Sequence, residues 1–532
     1  MQTTSTYLNY YKTNSFSPLV LDYLDGNHQL QEFYQHQPTI DGIKAAIHQR
    51  KQFSTNRQLL VEVLKEQYKD IELTEKQTAH LSSLLSEDTF TICTAHQPNI
   101  FTGLLYFIYK ILHAIKMADD LNEKIPGAHF VPVYYMGSED ADLDELGHIY
   151  ISGQKYEWKT KQAGAVGRMK VDKALLQLIT DFSGQLTVLP HGQEIVELMK
   201  KHYVLNVTIE QATFKLVNEL FASFGLLILL PDNRKLKQAY VPVIEKELLE
   251  GFSHKAKEET IATLPAKYKA QASGREINLF YLSDNSRERI ELNNGEWSVV
   301  NTDKKFIKEE LLKELHEAPE RFSPNVILRP AFQETVLPGV AFIGGGGELA
   351  YWMELKKVFA TIGVPYPVLV LRNSFLLAEK KDVILLEKLR LNYEDVFMNH
   401  FDLMNKIVKR DTEVQVSLDK EKNELKVYYD HLKQVAEQID KSLLKHTEAL
   451  YTKANKKITE LEKKLVRAEK RKFEAEQRQL TKIKASFFPN NNLQERVENM
   501  MLYYAMWGKE FLQVIYNHSL SLEQQFGIIE AQ

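Results

Sequence analysis

The sequence predicts a doubly wound α/β body joined to a long coiled-coil arm. Three observations predict it. In the first 367 residues, short apolar runs each end in a polar loop that leads into an amphipathic helix, the order of a parallel sheet with helices on both faces. The 23 glycines and 16 prolines of this 532-residue chain leave residues 368–488 with neither. These two residues penalise helix interiors most, so the gap predicts helix. Within it, residues 419–485 carry 18 Lys/Arg and 12 Asp/Glu. Leu432, Ala436, Ile439, Leu443, Leu450, Ala454, Ile458, Leu461, Leu465 and Ala468 recur there mostly at steps of three and four, the seam of a coiled coil.

Taken in order, residues 89–94 (TFTICT) form a strand before a helix over 104–121, and residues 130–136 (FVPVYYM) a strand before an acidic loop. Residues 226–230 precede Pro231-Asp232-Asn233 and a helix to 250; residues 341–343 precede four glycines and a helix from Glu348. The body then covers 1–154, with N-terminal helices, and 212–378. Residues 155–211 form a mainly helical insertion, and 277–297 a short β insertion turning at Asn293-Asn294-Gly295. The arm covers 379–488. Pro489-Asn490-Asn491-Asn492 stops it, and within 489–532 the stretch 493–527 reads as one returning helix. A straight helix over the charged stretch would reach roughly 100 Å at ~1.5 Å per residue. The body cannot bury such a rod, so it must pair with a helix around 380–409, with a second protomer, or with both. A homodimer through the coiled coil is expected.

Composition excludes several classes. One cysteine rules out a disulfide framework or a Cys-rich zinc module. No run of about 18 apolar residues exists to span a membrane, and residues 1–15 lack the order of a signal peptide. A cytoplasmic protein is expected. The net charge of −4 and the interleaved signs of the arm point away from nucleic acid and membrane surfaces. HExxH, CxxC, GxSxG, Walker and G-x-G-x-x-G patterns are absent, and Cys93, mid-strand, reads as a buried small hydrophobe.

In doubly wound sheets ligands bind at the carboxyl ends of the strands, which singles out three loops. The first, Thr94-Ala95-His96-Gln97-Pro98-Asn99-Ile100-Phe101-Thr102-Gly103, precedes a helix N-terminus that favours an anion. His96, Gln97, Asn99 and Thr102 add polar groups, or else Thr102 caps the helix and His96 packs. The second runs from Gly137 to Glu145 and includes Glu139, Asp140, Asp142 and Asp144, with His148 following. Such carboxylates suit an ammonium group, sugar hydroxyls or magnesium, or a general base that deprotonates an amine; the bland alternative is a solvated acidic loop. The third joins Arg329, which could fork a carboxylate of a ligand or an internal one such as Glu334, to Gly344-Gly345-Gly346-Gly347-Glu348, where backbone can approach a ligand closely.

Together the first loop with its helix to Lys110, GSEDADLDELGHIYI from Gly137 and LRPAFQETVLPGVAFIGGGGELAYWMELKKVF from Leu328 resemble the bacillithiol-biosynthesis cysteine-adding enzyme family. SFSPLVLDYL from Ser15, NLFYL from Asn278 and the C-terminal coiled coil fall in the same order. The resemblance implies a Rossmann-like core of the class I nucleotidyltransferase and aminoacyl-tRNA synthetase kind, with connecting-peptide insertions. It also implies a ligase that joins the carboxyl group of cysteine to the amine of glucosaminyl-malate, the last step of bacillithiol synthesis. The acidic and His96 loops then supply catalytic groups (Asp140, Asp142, Glu139, His96). Substrate or nucleotide falls to Gln97, Asn99, Thr102, Gly103, Asp144, His148, Arg329, Gly345, Gly346, Gly347 and Glu348. Arg329 or Lys110 would face malate. Activation of the carboxyl group would draw on ATP and magnesium. No zinc site for the thiol is expected, because its cysteine ligands are missing. The alternatives are another amino-acid ligase or nucleotidyltransferase of the same fold, and a non-catalytic coiled-coil scaffold. A cluster of the three loops favours an enzyme.

Overall fold

The computed structural model describes residues 2–412 and 417–531. Two units make up the chain: Met1–Leu377 with Asn492–Gln532, and Ala378–Asn491.

At the centre of the first unit lie strands β1 (Thr89–His96), β2 (His129–Met136), β3 (Leu227–Leu229), β4 (Gly339–Gly344) and β5 (Val368–Leu371). Their spatial order is β3-β2-β1-β4-β5, with every pair parallel. This is the half-Rossmann arrangement, and its order reverses between β1 and β4, where a crevice opens beyond the strand ends. Parallel strands covered on both faces read as continuous apolar runs; β1, β4 and β5 are accordingly buried throughout. Phe90, Ile92, Phe130, Val340, Ile343 and Val370 form the core with Met117 and Leu121. The last two sit on helix α1 (Tyr106–Lys124). Helices α2 (Arg234–Glu250), α3 (Arg329–Val336) and α4 (Gly346–Met353) follow in chain order.

β5 corrects the sequence reading. The stretch without Gly or Pro begins as two strands, β5 and Ser374–Ala378, because that absence suits a buried apolar strand as well as a helix. The β insertion is also larger than 277–297. Its antiparallel sheet runs Lys305–Phe306, Glu296–Val299, Arg287–Asn293, Leu279–Leu282, Phe322–Pro324. The Asn293 turn has Asn294 and Gly295 at φ 54° and 83°, the signs a two-residue hairpin requires. Residues 155–211 contain helices Lys173–Leu186 and Gly192–His202 and the start of Ile209–Phe221.

The stretch 493–527 is not one helix. It holds Met500–Trp507 and Glu510–His518, separated by Gly508 at φ 63°, ψ −152°, a conformation that ends a helix. The chain then forms a strand, Phe526–Ala531, between Thr3–Leu8 and Ser374–Ala378.

In the second unit the charged stretch is likewise not a single rod. After helix α5 (His400–Asp411), helices α6 (Asp419–Ile439), α7 (Leu443–Lys470) and α8 (Glu474–Phe487) divide it. Extended backbone at Asp440, φ −159° and ψ 117°, ends α6, and α7 folds back along it. Lys422 pairs with Glu462 at 2.7 Å and Lys433 with Glu448, the sequence-symmetric contacts of an antiparallel hairpin. Helix α5 also packs on α7.

Candidate active site

A cavity of about 610 Å³ opens at the reversal between β1 and β4. All three loops reach it. Its wall includes His96 at the end of β1 and Gln97 after it, Gly137, Glu139 and Asp140 after β2, and Arg329, Gly345, Gly346, Gly347 and Glu348 around α3 and α4. The β insertion adds Arg287 and Arg289, and the loop before its first strand adds Arg275. Arg372 follows β5, and Arg496 comes from the C-terminal segment.

Each loop is braced from beneath. Gly137 N–H donates to His96 O at 2.8 Å, and Tyr134 Oη donates to the same oxygen at 3.1 Å. The acidic loop is fixed by Val166 N–H to Asp140 O at 2.7 Å and Gly167 N–H to Ser138 O at 3.0 Å. Glu139 is paired with Lys237 of α2, which also donates to Phe322 O at 2.7 Å and so links core to β insertion. Burial pushes the Glu139 carboxyl up, and Lys237 opposes this. Asp140 accepts Gln97 Nε2 at 3.1 Å and the N–H groups of Ala141 and Asp142.

Across the crevice, Glu348 Oε2 accepts from Gly345 N–H at 2.8 Å and from Lys110 Nζ at 2.7 Å. Arg329 donates to Tyr351 Oη at 2.8 Å and lies over the Tyr135 ring. Burial alone would lower its pKa, but Tyr351, Tyr135 and Glu348 leave it raised. Arg372 pairs with Glu495 at 2.7 Å and lies over the Tyr106 ring. Arg287 stacks on Phe280 at 3.9 Å; burial pulls its pKa down despite Asp140 and Glu139. His96 packs between Tyr106 and Phe107 with Nε2 buried and unpartnered. Burial, then Lys110, Arg372 and Arg329, hold its pKa far below the usual value. It is therefore a neutral imidazole, able to donate or accept one hydrogen bond.

Two sequence families match. The N-terminal Rossmann-like domain of bacillithiol biosynthesis BshC matches residues 3–373, and the C-terminal coiled-coil domain of the same proteins matches residues 375–531. The chain belongs to the BshC family. Relatives named "Putative cysteine ligase BshC" include one from Flavobacterium johnsoniae, 37% identical over 98% of this chain and 99% of its own. Another, from Bacillus cereus, is 28% identical over 96% and 98%. A solved chain described as a "putative arginyl t-RNA synthetase" from Campylobacter jejuni is 10% identical, with 85% of this chain and 100% of that one covered. Its TM-score is 0.23, too low to bear on the fold.

Several residues singled out in this BshC chain lie off the cavity wall. Asp142 caps its own short helix, Oδ1 accepting Glu145 N–H at 3.0 Å. Asp144 is exposed, and its carbonyl contacts His148 Nδ1 at 2.8 Å. Asn99 and Thr102 are buried under the first loop, where Thr102 does not cap α1. Phe101 and Thr102 have φ of 51° and 71°, and Asn499 Nδ2 donates to Phe101 O and Gly103 O. A Cβ on Gly103, at φ 64°, would lie 2.6 Å from Asn99 Cβ. The segment is a tight turn, and Leu105 N–H just before α1 is spent on Glu498 O at 2.7 Å. Lys110 is 1% exposed, donating to Ala95 O and Glu348, so it has no reach to a ligand. Glu334 is the partner of Arg50 rather than Arg329. Cys93 is buried, and burial pushes its thiol up.

Sequence reasoning missed the other arginines, and it counted Glu145 in the acidic loop without giving it a role of its own. Arg287 and Arg289 alternate along one strand and so share a face, a signal in plain sight. Arg372 follows β5 directly and needed that strand to be recognised. Arg496 carried no local signal. Among the described residues, no group of three His, Cys, Asp or Glu side chains could hold a metal ion, and no helix is long and apolar enough to cross a membrane.

Proposed function

We propose that this chain is a ligase that joins the carboxyl group of cysteine to the amine of glucosaminyl-malate, the last step of bacillithiol synthesis. The observation that carries the reading is the cavity at the strand-order reversal, with guanidinium groups and carboxylates on one wall. Its volume suits a small-molecule site. The cysteine-ligase name carried by its relatives and the family's domains support the same reading.

The chemistry sets what the wall must do. A free carboxylate is a poor electrophile at neutral pH, so cysteine's carboxyl group must first be activated. ATP would supply a phosphate-bearing leaving group, for which Arg329, Arg372 and Arg496 are suited as guanidinium partners. Gly347 fits close backbone approach, since a Cβ there would meet nothing within 4 Å. Gly345 N–H does not, because Glu348 already occupies it. Arg275, Arg287 and Arg289 have no carboxylate within salt-bridge distance among the described residues, and the malate dicarboxylate would offset their mutual repulsion. The neutral His96 would hydrogen-bond the reacting carbonyl. Asp140, with its oxygens already engaged, would hold Gln97 in place rather than take a proton.

Incubation of the purified protein with cysteine, glucosaminyl-malate, ATP and magnesium tests this, with mass spectrometry as the readout. Bacillithiol should form, and a strain lacking the protein should accumulate glucosaminyl-malate. Unchanged bacillithiol in that strain would sink the reading.

A further inference from the structure

Four carboxylates line the cavity, and three have fixed partners. Glu139 is paired with Lys237, Asp140 accepts from Gln97 and two backbone N–H groups, and Glu348 accepts from Lys110 and Gly345. Glu145 lines the same wall with neither an ion pair nor a side-chain hydrogen bond among the described residues. Its backbone, by contrast, is fixed. Glu145 N–H donates to Asp142 Oδ1 at 3.0 Å, Leu146 N–H to Asp142 O at 3.0 Å, and Gly147 N–H to Leu143 O at 2.8 Å. Such a carboxylate, free at its head and held at its base, can accept a proton without breaking any contact of the fold. The buried Nε2 of His96, a residue of the same wall, is a second polar group there without a protein partner.

We propose that Glu145 is the general base of the coupling step and takes a proton from the ammonium group of the acceptor; this rests on the amide-forming reading above. The acyl donor is a mixed carboxylic–phosphoric anhydride. One N–H proton passes to a Glu145 carboxylate oxygen, and the freed lone pair forms the N–C bond. The C–O bond to phosphate breaks, with its electron pair going to the phosphate oxygen. The remaining surplus proton on nitrogen leaves to water, and Glu145 returns its own proton to solvent.

The surroundings suit a base. Glu145 is solvent-exposed at the cavity wall, yet partial desolvation there raises its pKa above the ordinary carboxylate value, and Asp140 and Asp142 on its own loop and Glu348 on α4 push the same way. Tyr106 of α1 and Arg496 face the same region. A base closer in pKa to the working pH transfers protons more effectively.

The test uses the full-length protein with cysteine, ATP and glucosaminyl-malate. Glu145→Gln should lower kcat/KM for glucosaminyl-malate by about 10²–10⁴-fold and abolish the acid limb of its pH profile. Hydroxamate formation with hydroxylamine, whose amine is already neutral at the assay pH, should continue at the wild-type rate. A wild-type-like rate with its acid limb intact would overturn the assignment, and so would an equal loss of hydroxamate formation. If the wild-type protein forms no amide at all, the ligase reading fails first and takes this proposal with it.

Discussion

Lys110 and Glu348 meet at 2.7 Å across the reversal between β1 and β4, the lysine 1% exposed and the glutamate 26%. Lys110 also donates to Ala95 O at the end of β1, and Glu348 accepts Gly345 N–H at the start of α4. One ion pair therefore sets the spacing of two loops that form the cavity wall. Burial lowers the Lys110 pKa and Glu348 opposes that, so the two partners are not equivalent. Glu348→Gln strands a buried cation and should cost about 3–5 kcal/mol. Lys110→Met leaves a carboxylate that water reaches and one unpaired carbonyl, a loss of roughly 1–3 kcal/mol. Urea unfolding of the two variants should show this order.

Arg50 and Glu334 form a deeper pair, 1% and 0% exposed at 2.7 Å. Arg50 also donates to Gly339 O and Glu334 O, both at 2.8 Å, and a Cβ on Gly339 would lie 2.2 Å from Glu334 Oε2. Arg50→Met should cost about 3–5 kcal/mol, the usual penalty for a stranded buried charge. The neighbouring exposed pair Lys51–Asp88 should be worth about 1 kcal/mol or less. Melting of Arg50→Met beside Lys51→Met separates the two cases.

The parallel sheet was legible because buried strands announce themselves as apolar runs before polar loops, and the motif after Leu328 was specific enough to name the family. Which loop residues face the cavity was not legible. Asp142 and Glu145 are both acidic and three apart, and only the cap formed by Asp142 decides which carboxylate is free. The arm's charge and seam were plain, but its fold-back at Asp440 was not, since neither Gly nor Pro marks it. The strands Thr3–Leu8 and Phe526–Ala531 pair across nearly the whole chain, and local pattern carries no trace of such a contact.

Below the acidic loop, Glu139, Glu210 and Asp232 face two cations, Lys237 and Arg168, the latter forked onto Asp232 at 2.7 and 2.8 Å. Lys237 and Arg168 are engaged by Glu139 and Asp232, so Glu210 has no cation of its own in an ion pair among the described residues. Burial, with Asp232 and Glu139, raises the Glu210 pKa from 4.5 to about 8. Between those values the folded state holds a proton that the unfolded chain has released, so stability falls as pH rises from 4.5 to about 8. Glu210→Gln should flatten that part of the curve and be more stable than wild type above pH 8. Melting temperatures of both proteins across this range check it.

The hairpin of the arm buries only part of its seam. Leu443, Leu450 and Leu461 on α7 are 41%, 42% and 50% exposed, and Val427, Val435 and Ile439 on α6 are 70%, 40% and 75% exposed. Leu443, Leu450 and Leu461 keep coiled-coil spacing, so their exposed face lacks the partner helix that such spacing normally buries. A second copy of the chain is the occupant we propose, in keeping with the symmetry of most soluble assemblies. Leu450→Glu with Leu461→Glu should convert a dimer to a monomer in light scattering while leaving the far-ultraviolet helical signal intact. A wild-type protein that is monomeric at micromolar concentration would refute this assignment.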